Sequence, residues 1–183
     1  AGTLVALNEL FGKKLDTEAL CAVGDKIGAD VPLCIKGVTL YSITSGDMIA
    51  AECDTNCVFV CIYPDFTLST AEAYAKYDEN PTEINPHYAD FVSSIVCGSL
   101  SEGAGFISNV FTEIYHDSRI EEMKTDLLES GAVISEMTGR GSVVFGVFES
   151  EETAAYSKKI LSGKYPHIFT TRPVSCGVYV LER

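Results

Sequence analysis

The run Val58-Phe59-Val60-Cys61-Ile62-Tyr63 is apolar at every position. A strand with one solvated face alternates apolar and polar residues, whereas an unbroken apolar run is typical of a strand buried on both faces. Pro64 follows directly and ends the run, because proline lacks the N–H that a sheet ladder requires. We therefore predict a central strand here, in a domain that begins near residue 55.

Helix and strand signals alternate in the rest of this domain. Apolar residues at helical spacing predict helices, and β-branched or apolar runs predict strands. The predicted helices begin near Ser69, Tyr88, Ile107, Ser118 and Ser150. The predicted strands cover residues 132–137, 143–148, 167–171 and 178–181. The order strand, helices, strand, strand, helix, strand is typical of an α+β sandwich of the split βαβ, or ferredoxin-like, type.

Two helices are predicted before residue 55. The first starts with the chain itself and has only Thr3 as a cap, which indicates a start inside a longer protein; its apolar positions are Leu4, Leu7 and Phe11. The second runs from Asp16 or Thr17 to Gly28. Its apolar face is predicted to carry Leu20, Val23 and Ile27.

Strands are predicted after the second helix. The run Leu33-Cys34-Ile35 follows Pro32 and predicts a short strand. Residues 38–43 and 48–50 predict a hairpin that turns at Ser45-Gly46-Asp47.

Composition and charge limit the classes of function. The 183 residues are 46% apolar and 10% aromatic, as in a globular protein. The net charge of −13 repels nucleic acid and anionic lipid, and the basic residues form no cluster that would offset it. Because the first residues carry no charged leader and no run reaches membrane-spanning length, we expect a cytoplasmic protein without nucleic-acid or membrane partners.

The seven cysteines are an odd number and include no CxxC pair, which favours reduced and buried thiols. Cys53, Cys57 and Cys61 recur every four residues, as metal ligands can. They run into the predicted central strand, so core packing is the favoured interpretation and no metal site is predicted.

The stretch Ile27-Gly28-Ala29-Asp30-Val31-Pro32 places an acid between a predicted helix and a predicted strand. Proline restrains the backbone before it, so the short side chain of Asp30 would be held in a fixed position. Such a carboxylate can accept a proton from a bound molecule. The alternative is a helix-terminal acid that only adds charge to the surface.

The stretch Met137-Thr138-Gly139-Arg140-Gly141-Ser142 joins two predicted strands. Two glycines one residue apart allow successive N–H groups to face an anion, so the loop is a candidate phosphate site. A hairpin turn without a ligand has the same sequence pattern. The loop is neither a Walker loop nor a Rossmann fingerprint, because Gly-Lys-Ser/Thr and a third glycine are absent.

Thr70 and Tyr74 lie four residues apart on one predicted helix, so a hydroxyl and an aromatic ring could meet a ligand together. The alternative is a helix cap followed by a core residue. The three histidines, His87, His116 and His167, show no triad or metal spacing and receive no role.

Four stretches occur along the chain in a fixed order, namely Leu4-Val5-Ala6-Leu7-Asn8-Glu9-Leu10-Phe11-Gly12, Gly28-Ala29-Asp30-Val31-Pro32, Ser69-Thr70-Ala71-Glu72-Ala73-Tyr74 and Met137-Thr138-Gly139-Arg140-Gly141-Ser142-Val143-Val144-Phe145-Gly146. Together they resemble the 4-diphosphocytidyl-2-C-methyl-D-erythritol kinases of the GHMP kinase superfamily. The resemblance covers nearly the whole chain, and Gly28-Ala29-Asp30-Val31-Pro32 is its most telling part.

The resemblance implies an ATP-dependent phosphorylation of a hydroxyl on a small-molecule substrate, in the bacterial methylerythritol phosphate route to isoprenoids. It implies that Asp30 is the general base, and that Thr70 and Tyr74 lie near the cytidine, with the ring of Tyr74 stacked on the base. The loop that it places beside the ATP phosphates is Thr138, Gly139, Arg140, Gly141 and Ser142. It also implies Mg²⁺, for which no protein ligand is identified, and it leaves a homodimer open.

The resemblance further implies a division into residues 1–54, a remnant of the N-terminal kinase domain, and 55–183, the C-terminal α+β domain. The superfamily's main Gly- and Ser-rich phosphate loop would precede Ala1, so we expect this chain to be a C-terminal portion that is inactive alone. Arg140 stands where the superfamily usually has a small residue. The usual extra glycines are also absent around Gly37 and Thr44-Ser45.

Two other functions are consistent with these residues. One is a sister kinase of the same superfamily that acts on homoserine or mevalonate. The other is a non-catalytic α+β interaction module that retains the fold of such kinases without their chemistry.

Overall fold

The computed structural model describes residues 1–37, 40–41, 49–50, 56–79, 81, 87–96 and 100–181. Contacts between residues divide the chain into two compact units. Ala1–Cys53 and Val174–Arg183 form the first unit, and Asp54–Pro173 form the second. Residues 174–183 thus group with the first unit, whereas the domain prediction has them in the second. The assignment of the two parts to kinase domains stays a prediction.

The first unit contains the helices α1 (Gly2–Leu10), α2 (Thr17–Asp25) and α3 (Asp30–Lys36), and the strands β1 (Leu40–Tyr41) and β2 (Ile49–Ala50). The second unit contains the strands β3 (Val58–Ile62), β4 (Ile134–Met137), β5 (Val144–Phe148) and β6 (Ile168–Thr171). Its helices include α4 (Thr70–Glu79), α5 (Tyr88–Val96), α6 (Leu100–Gly103), α7 (Val110–Tyr115), α8 (Ser118–Glu129) and α9 (Glu151–Leu161), with a 3₁₀-helix at Ala104–Phe106. Among the described residues, every helix is too short or too polar to cross a membrane.

The sheet of the second unit has the strand order β4-β5-β3-β6, and each neighbouring pair is antiparallel. Strand β3 pairs with β5 from Val58 opposite Phe148 to Ile62 opposite Val144. On its other side it pairs with β6, where Ile62 lies opposite Ile168. This is the strand order of the split βαβ sandwich, so the predicted α+β fold class is confirmed.

Both faces of β3 are covered. On one face, Val58, Val60 and Ile62 belong to a buried cluster with residues of α8 and α9. On the other face, Phe59 packs against a second cluster that also contacts α5 and α6. The buried members of this second cluster are Cys57, Ile134 and Val147. The apolar run of β3 is therefore unbroken because both faces of the strand are buried, as its pattern predicted.

The helices of the first unit pack around Leu20, Cys21 and Ile35. Asp16 is the N-cap of α2, as predicted, and its carboxylate accepts the N–H of Ala19 at 2.8 Å. The predicted apolar face was partly wrong, because Val23 and Ile27 are 39% and 68% exposed.

Gly24 explains the shifted face of α2. A Cβ on Gly24 would lie 2.7 Å from Cγ1 of Val31, so its missing side chain is what lets α3 pack there. The buried residues of α2 are accordingly Leu20, Cys21 and Gly24.

The predicted strand at Leu33-Cys34-Ile35 is wrong, because these residues lie inside α3. Pro32 is the third residue of that helix, within the first turn. The first N–H groups of a helix have no intrahelical acceptor, so a proline there costs no hydrogen bond and its fixed φ suits the helix. Asp30 therefore begins a helix and does not join a helix to a strand. Gly37 ends α3 in the left-handed conformation, with φ of +65°.

The predicted strand at residues 178–181 is also absent among the described residues. The N–H of Val178 donates to the carbonyl of Cys34 at 3.2 Å, so the backbone of this segment bonds to the last turn of α3. The predicted hairpin is present in part, because β1 and β2 pair with Leu40 opposite Ala50. Its turn and Cys53 lie outside the described residues.

The helix predicted from Ile107 begins later, at Val110. Asn109 is its N-cap and accepts the N–H of Phe111 at 2.9 Å, which leaves Ile107 in extended backbone. The remaining helix starts agree with the sequence: Glu72 N–H donates to Ser69 Oγ at 3.4 Å, and Thr153 N–H to Ser150 Oγ at 3.1 Å.

We expect Gly177→Ala to destabilise the first unit. A Cβ at this position would collide with the carbonyl oxygens of Cys34 and Ile35, and backbone atoms cannot move aside as side chains can. The expected loss in the free energy of unfolding is about 1–3 kcal/mol, measured by urea denaturation of the whole chain. Gly28→Ala is the matched control, since a Cβ there meets nothing within 4 Å. Equal stabilities of the two variants would contradict the close approach of Gly177 to the carbonyls of Cys34 and Ile35.

Asp117 caps α8, the helix that supplies Ile120, Met123 and Leu127 to the core. Its Oδ1 accepts the Arg119 N–H at 2.9 Å, and the Arg119 guanidinium donates to Oδ1 and Oδ2 at 3.0 and 2.6 Å. The side-chain hydrogen bonds from Arg119 hold the pKa of Asp117 below its ordinary value, against the opposing effect of burial.

We expect Asp117→Ala to cost about 1 kcal/mol of stability near neutral pH. Because the folded pKa is lowered, the stabilisation by Asp117 is complete above the unfolded pKa of about 3.9 and is lost as the pH falls through the folded pKa. Unfolding measured from pH 7 down to pH 2.5 should therefore show the two proteins converging at low pH. Asp25→Ala removes an exposed acid and serves as control. A stability difference that stays constant over this range would refute the assignment.

Candidate active site

The loop at residues 138–142 is a tight turn between β4 and β5. The Thr138 N–H donates to the carbonyl of Val143 at 2.9 Å, and the Gly141 N–H donates to the carbonyl of Thr138 at 3.0 Å. Gly139 and Gly141 have φ of +54° and +86°, in the left-handed region where other residues are strained. The two glycines are thus required by the backbone path of the turn.

Three N–H groups of this loop are not used in hydrogen bonds by the part of the chain that the structure describes. Within the described residues, the N–H groups of Gly139, Arg140 and Ser142 have no protein acceptor. Gly139 and the side chain of Arg140 are exposed. Backbone N–H groups in such a turn, with a cation beside them, form an arrangement that can bind an anion such as a phosphate group.

Ser142 anchors the loop and is buried. Its Oγ donates to the carbonyl of Phe66 at 2.6 Å, in the segment that follows β3. The guanidinium of Arg119 covers the Phe66 ring at 3.7 Å from its centroid, so the cap of α8 also supports this anchor. The hydroxyl hydrogen of Ser142 is therefore used within the protein.

Gly141 lies against the side chains below the loop. A Cβ here would lie 2.5 Å from Sδ of Met137 and 2.8 Å from Cδ1 of Leu68. The positive φ disfavours a side chain at this position, and a Cβ would also force the side chains of Met137 and Leu68 to move.

Asn109 holds the loop from α7, and the sequence analysis missed it. Its Nδ2 donates to the carbonyls of Met137 and Gly139, at 2.7 and 2.6 Å. An Asn before a helical run is a recognisable cap signal, but contacts with residues this distant in sequence carry no local signal.

Glu136 is a buried acid on β4, and it too was missed. Its Oε1 accepts the Thr112 hydroxyl at 2.7 Å and the Met137 N–H at 2.8 Å, while its Oε2 pairs with Lys124 at 3.2 Å. A polar cavity of about 280 Å³ lies beside Asn109, Thr112 and Glu136. Since the carboxylate is fully partnered, we interpret it as a brace between α7, α8 and β4.

Thr70 and Tyr74 lie on α4 of the second unit. Ser69 is the cap, so Thr70 is the first residue of the helix, and it is exposed. The Tyr74 ring is 54% exposed and meets the Phe111 ring edge-on, with centroids 5.4 Å apart. Both side chains thus remain accessible to a ligand.

Tyr115 links α4 to the surroundings of the loop. Its hydroxyl donates to the carbonyl of Ser69 at 2.9 Å. Burial and the charge of Glu72 raise the pKa of Tyr115, and the positive charge of Arg140 acts against them. The hydroxyl that bonds to Ser69 therefore lies within the electrostatic influence of Arg140.

Asp30 is in the first unit, whereas the other predicted site residues are in the second. It begins α3, and its carboxylate is exposed. A carboxylate in the first turn is stabilised by the helix dipole, since the first N–H groups carry partial positive charge. Ala29 before it makes no side-chain cap. The side chain is thus accessible for proton transfer.

Comparison with known proteins gave related sequences, although no family model matches the chain. The 4-diphosphocytidyl-2-C-methyl-D-erythritol kinase of Caldanaerobacter subterraneus is 30% identical over 99% of this chain and 64% of its own length. The kinase of the same name from Clostridioides difficile is 28% identical over 98% of this chain and 62% of its length. The chain thus spans a little under two thirds of these relatives.

Solved structures share the fold at low sequence identity. Homoserine kinase from Cytophaga hutchinsonii superposes with a TM-score of 0.74, at 17% identity over 93% of this chain and 62% of that chain. A 4-(cytidine 5'-diphospho)-2C-methyl-D-erythritol kinase gives a TM-score of 0.67, at 17% identity over 91% and 60%. Mevalonate kinase from L. major gives 0.65, at 16% identity over 93% and 63%. The resemblance predicted from the motifs is therefore confirmed, because nearly the whole chain is similar in sequence to proteins named 4-diphosphocytidyl-2-C-methyl-D-erythritol kinase and shares its fold with a solved kinase of that kind and with homoserine and mevalonate kinases.

Proposed function

We propose that this chain is the C-terminal part of an ATP-dependent kinase that phosphorylates a hydroxyl of 4-diphosphocytidyl-2-C-methyl-D-erythritol, in the cytoplasmic methylerythritol phosphate route to isoprenoids. The observation that carries the proposal is the similarity to kinases of that name, at 30% identity over 99% of the chain. The N–H groups of the exposed Gly139 and Arg140, which have no acceptor among the described residues, add physical support.

In this proposal the loop at residues 138–142 binds phosphate oxygens of ATP. The N–H groups of Gly139, Arg140 and Ser142 lack protein acceptors among the described residues, and the Arg140 cation is exposed beside them. Such groups stabilise negative charge without having to move during the reaction. They also hold the transferred phosphoryl group in place, which is the main demand of this chemistry.

Asp30 is proposed as the general base. As the substrate hydroxyl attacks the phosphoryl group, its proton would pass to the carboxylate of Asp30. The exposed position at the start of α3 supports this role, since a carboxylate must be accessible to accept a proton. Positioning supplies much of the catalysis of phosphoryl transfer, and we propose that Asp30 also orients the hydroxyl.

Mg²⁺ is proposed together with ATP. Within the described residues, no group of three or more His, Cys, Asp or Glu side chains could hold a metal ion. We therefore assign no residue of this chain as its ligand. When bound, Mg²⁺ would neutralise negative charge on the phosphates.

A sister kinase is the second candidate, because the superposition on a homoserine kinase has the higher TM-score, 0.74 against 0.67. Activity of the full-length protein with the cytidyl substrate, homoserine and mevalonate separates the two. Turnover of the cytidyl substrate alone supports the first candidate. If none of the three is phosphorylated and ATP does not bind, a non-catalytic module is favoured.

We expect Asp30→Asn in the full-length protein to lower kcat by about 10²–10⁴-fold with little change in KM, because the amide cannot accept the proton. Steady-state kinetics with both substrates measure this. Asp25→Asn removes an exposed acid of the same unit, at the end of α2, and should leave kcat unchanged. Turnover of Asp30→Asn at the wild-type rate would show that Asp30 is not the base.

We expect Tyr74→Ala to raise KM for the cytidyl substrate about tenfold and to leave KM for ATP unchanged, because base stacking would be lost. Tyr74→Phe keeps the ring and should remain close to the wild type. Tyr77→Ala removes another partly exposed tyrosine of α4 and is the control. If the KM values for ATP and the cytidyl substrate rise together, Tyr74 does not stack on the cytidine.

A further inference from the structure

Asn109 holds the carbonyls on both sides of Thr138 with a single amide group. Its Nδ2 donates to Met137, the last residue of β4, at 2.7 Å, and to Gly139, inside the loop, at 2.6 Å. The two acceptors use both hydrogens of the NH₂ group. The contact therefore fixes the start of the loop relative to α7.

Hydrogen bonds also fix the side chain of Asn109 and the first turn of α7 that follows it. Its Oδ1 accepts the Phe111 N–H at 2.9 Å, so both ends of the side-chain amide have partners and its orientation is determined. One turn later, the Thr112 hydroxyl donates to the buried carboxylate of Glu136 at 2.7 Å. That carboxylate also accepts the Met137 N–H at 2.8 Å. The first turn of α7 is thus joined to the end of β4 at two points.

The hydrogen bond from Asn109 to the Gly139 carbonyl determines the direction of the Arg140 N–H. In a trans peptide unit, C=O and N–H lie in one plane and point in opposite directions. The Gly139 carbonyl points to Asn109, and the Gly139–Arg140 peptide is trans. The Arg140 N–H therefore points away from α7, and among the described residues it has no protein acceptor.

We propose that Asn109 is a positioning residue for phosphate binding, which holds the Gly139 carbonyl so that the Arg140 N–H is presented to a phosphate group of the nucleotide. This inference rests on the proposed function, because the ligand is the ATP of the kinase. Asn109 would not contact the ligand and would act through the peptide unit between Gly139 and Arg140.

The test separates two roles of Asn109, namely its hydrogen bonds to the loop carbonyls and its cap of α7. Asn109→Asp has the same shape and retains the cap, but it replaces the NH₂ donor by an acceptor that faces two carbonyls. Asn109→Ser also retains a cap and loses the donor without adding charge. Ser150→Ala removes the cap of α9, a helix for which no hydrogen bond to the loop is seen among the described residues, and controls for a loss of stability.

Two measurements are made on the full-length protein. Calorimetric titration with ATP and Mg²⁺ should show the affinity reduced about tenfold in both Asn109 variants and unchanged in Ser150→Ala. Hydrogen–deuterium exchange is measured without ligand. The peptide that covers residues 138–142 should exchange about tenfold faster than in the wild type in both Asn109 variants, and at the wild-type rate in Ser150→Ala. The Gly141 N–H, which donates to the carbonyl of Thr138, reports on the shape of the loop.

Wild-type affinity and wild-type exchange in both Asn109 variants would overturn the inference. Faster exchange with unchanged affinity would also overturn it, because the loop would then be held by Asn109 without any effect on the nucleotide. Failure of the wild-type protein to bind ATP would instead refute the proposed function and the phosphate role together, and the exchange rates would still decide whether Asn109 holds the loop.

Discussion

Strand β3 has to be covered on both faces and paired along both edges, and the second unit is arranged around that requirement. Its pairing with β5 and β6 satisfies the backbone groups of its central residues. Residues of α8 and α9 cover one face, and residues of α5 and α6 cover the other. With the interior of β3 fully used by packing, groups for chemistry are left to the connections at the strand ends.

The loop between β4 and β5 is such a connection, and its accessible N–H groups follow from how firmly the remainder of the loop is bonded. Ser142 bonds to the Phe66 carbonyl, Asn109 bonds to the carbonyls of Met137 and Gly139, and Gly141 bonds within the turn. A loop that is fixed before a ligand arrives loses little conformational entropy on binding, so more of the interaction free energy is available for affinity. The arrangement therefore combines a rigid support with a small number of accessible donors.

The sequence predicted the parts of this structure that are encoded locally. The apolar run of β3, the caps at Asp16, Ser69 and Ser150 and the two glycines of the loop each carry a short-range signal, and the structure has all of them where expected. The strand order could be expected as well, since a split βαβ arrangement follows from the order of the elements.

The secondary-structure predictions are wrong where the same sequence pattern is compatible with two different structures. Pro32 predicts extended backbone after it, but in the first turn of α3 it costs no hydrogen bond and is compatible with the helix. Residues 178–181 have strand composition, but their backbone bonds to the end of α3. Asn109 and Glu136 act through contacts that join distant parts of the chain, so composition and spacing could not indicate them.

The pairing of β3 also bears on how the chain reaches its native state. Val58 pairs with Phe148 and Ile62 with Ile168, so the most apolar strand is synthesised long before either of its partners. Until then it is an exposed apolar segment with unpaired backbone groups, a condition that favours aggregation during synthesis. Because these contacts are distant in sequence, folding of the second unit is expected to be slow for its size. The same strand that organises the folded core is therefore a segment prone to aggregation while the chain is incomplete.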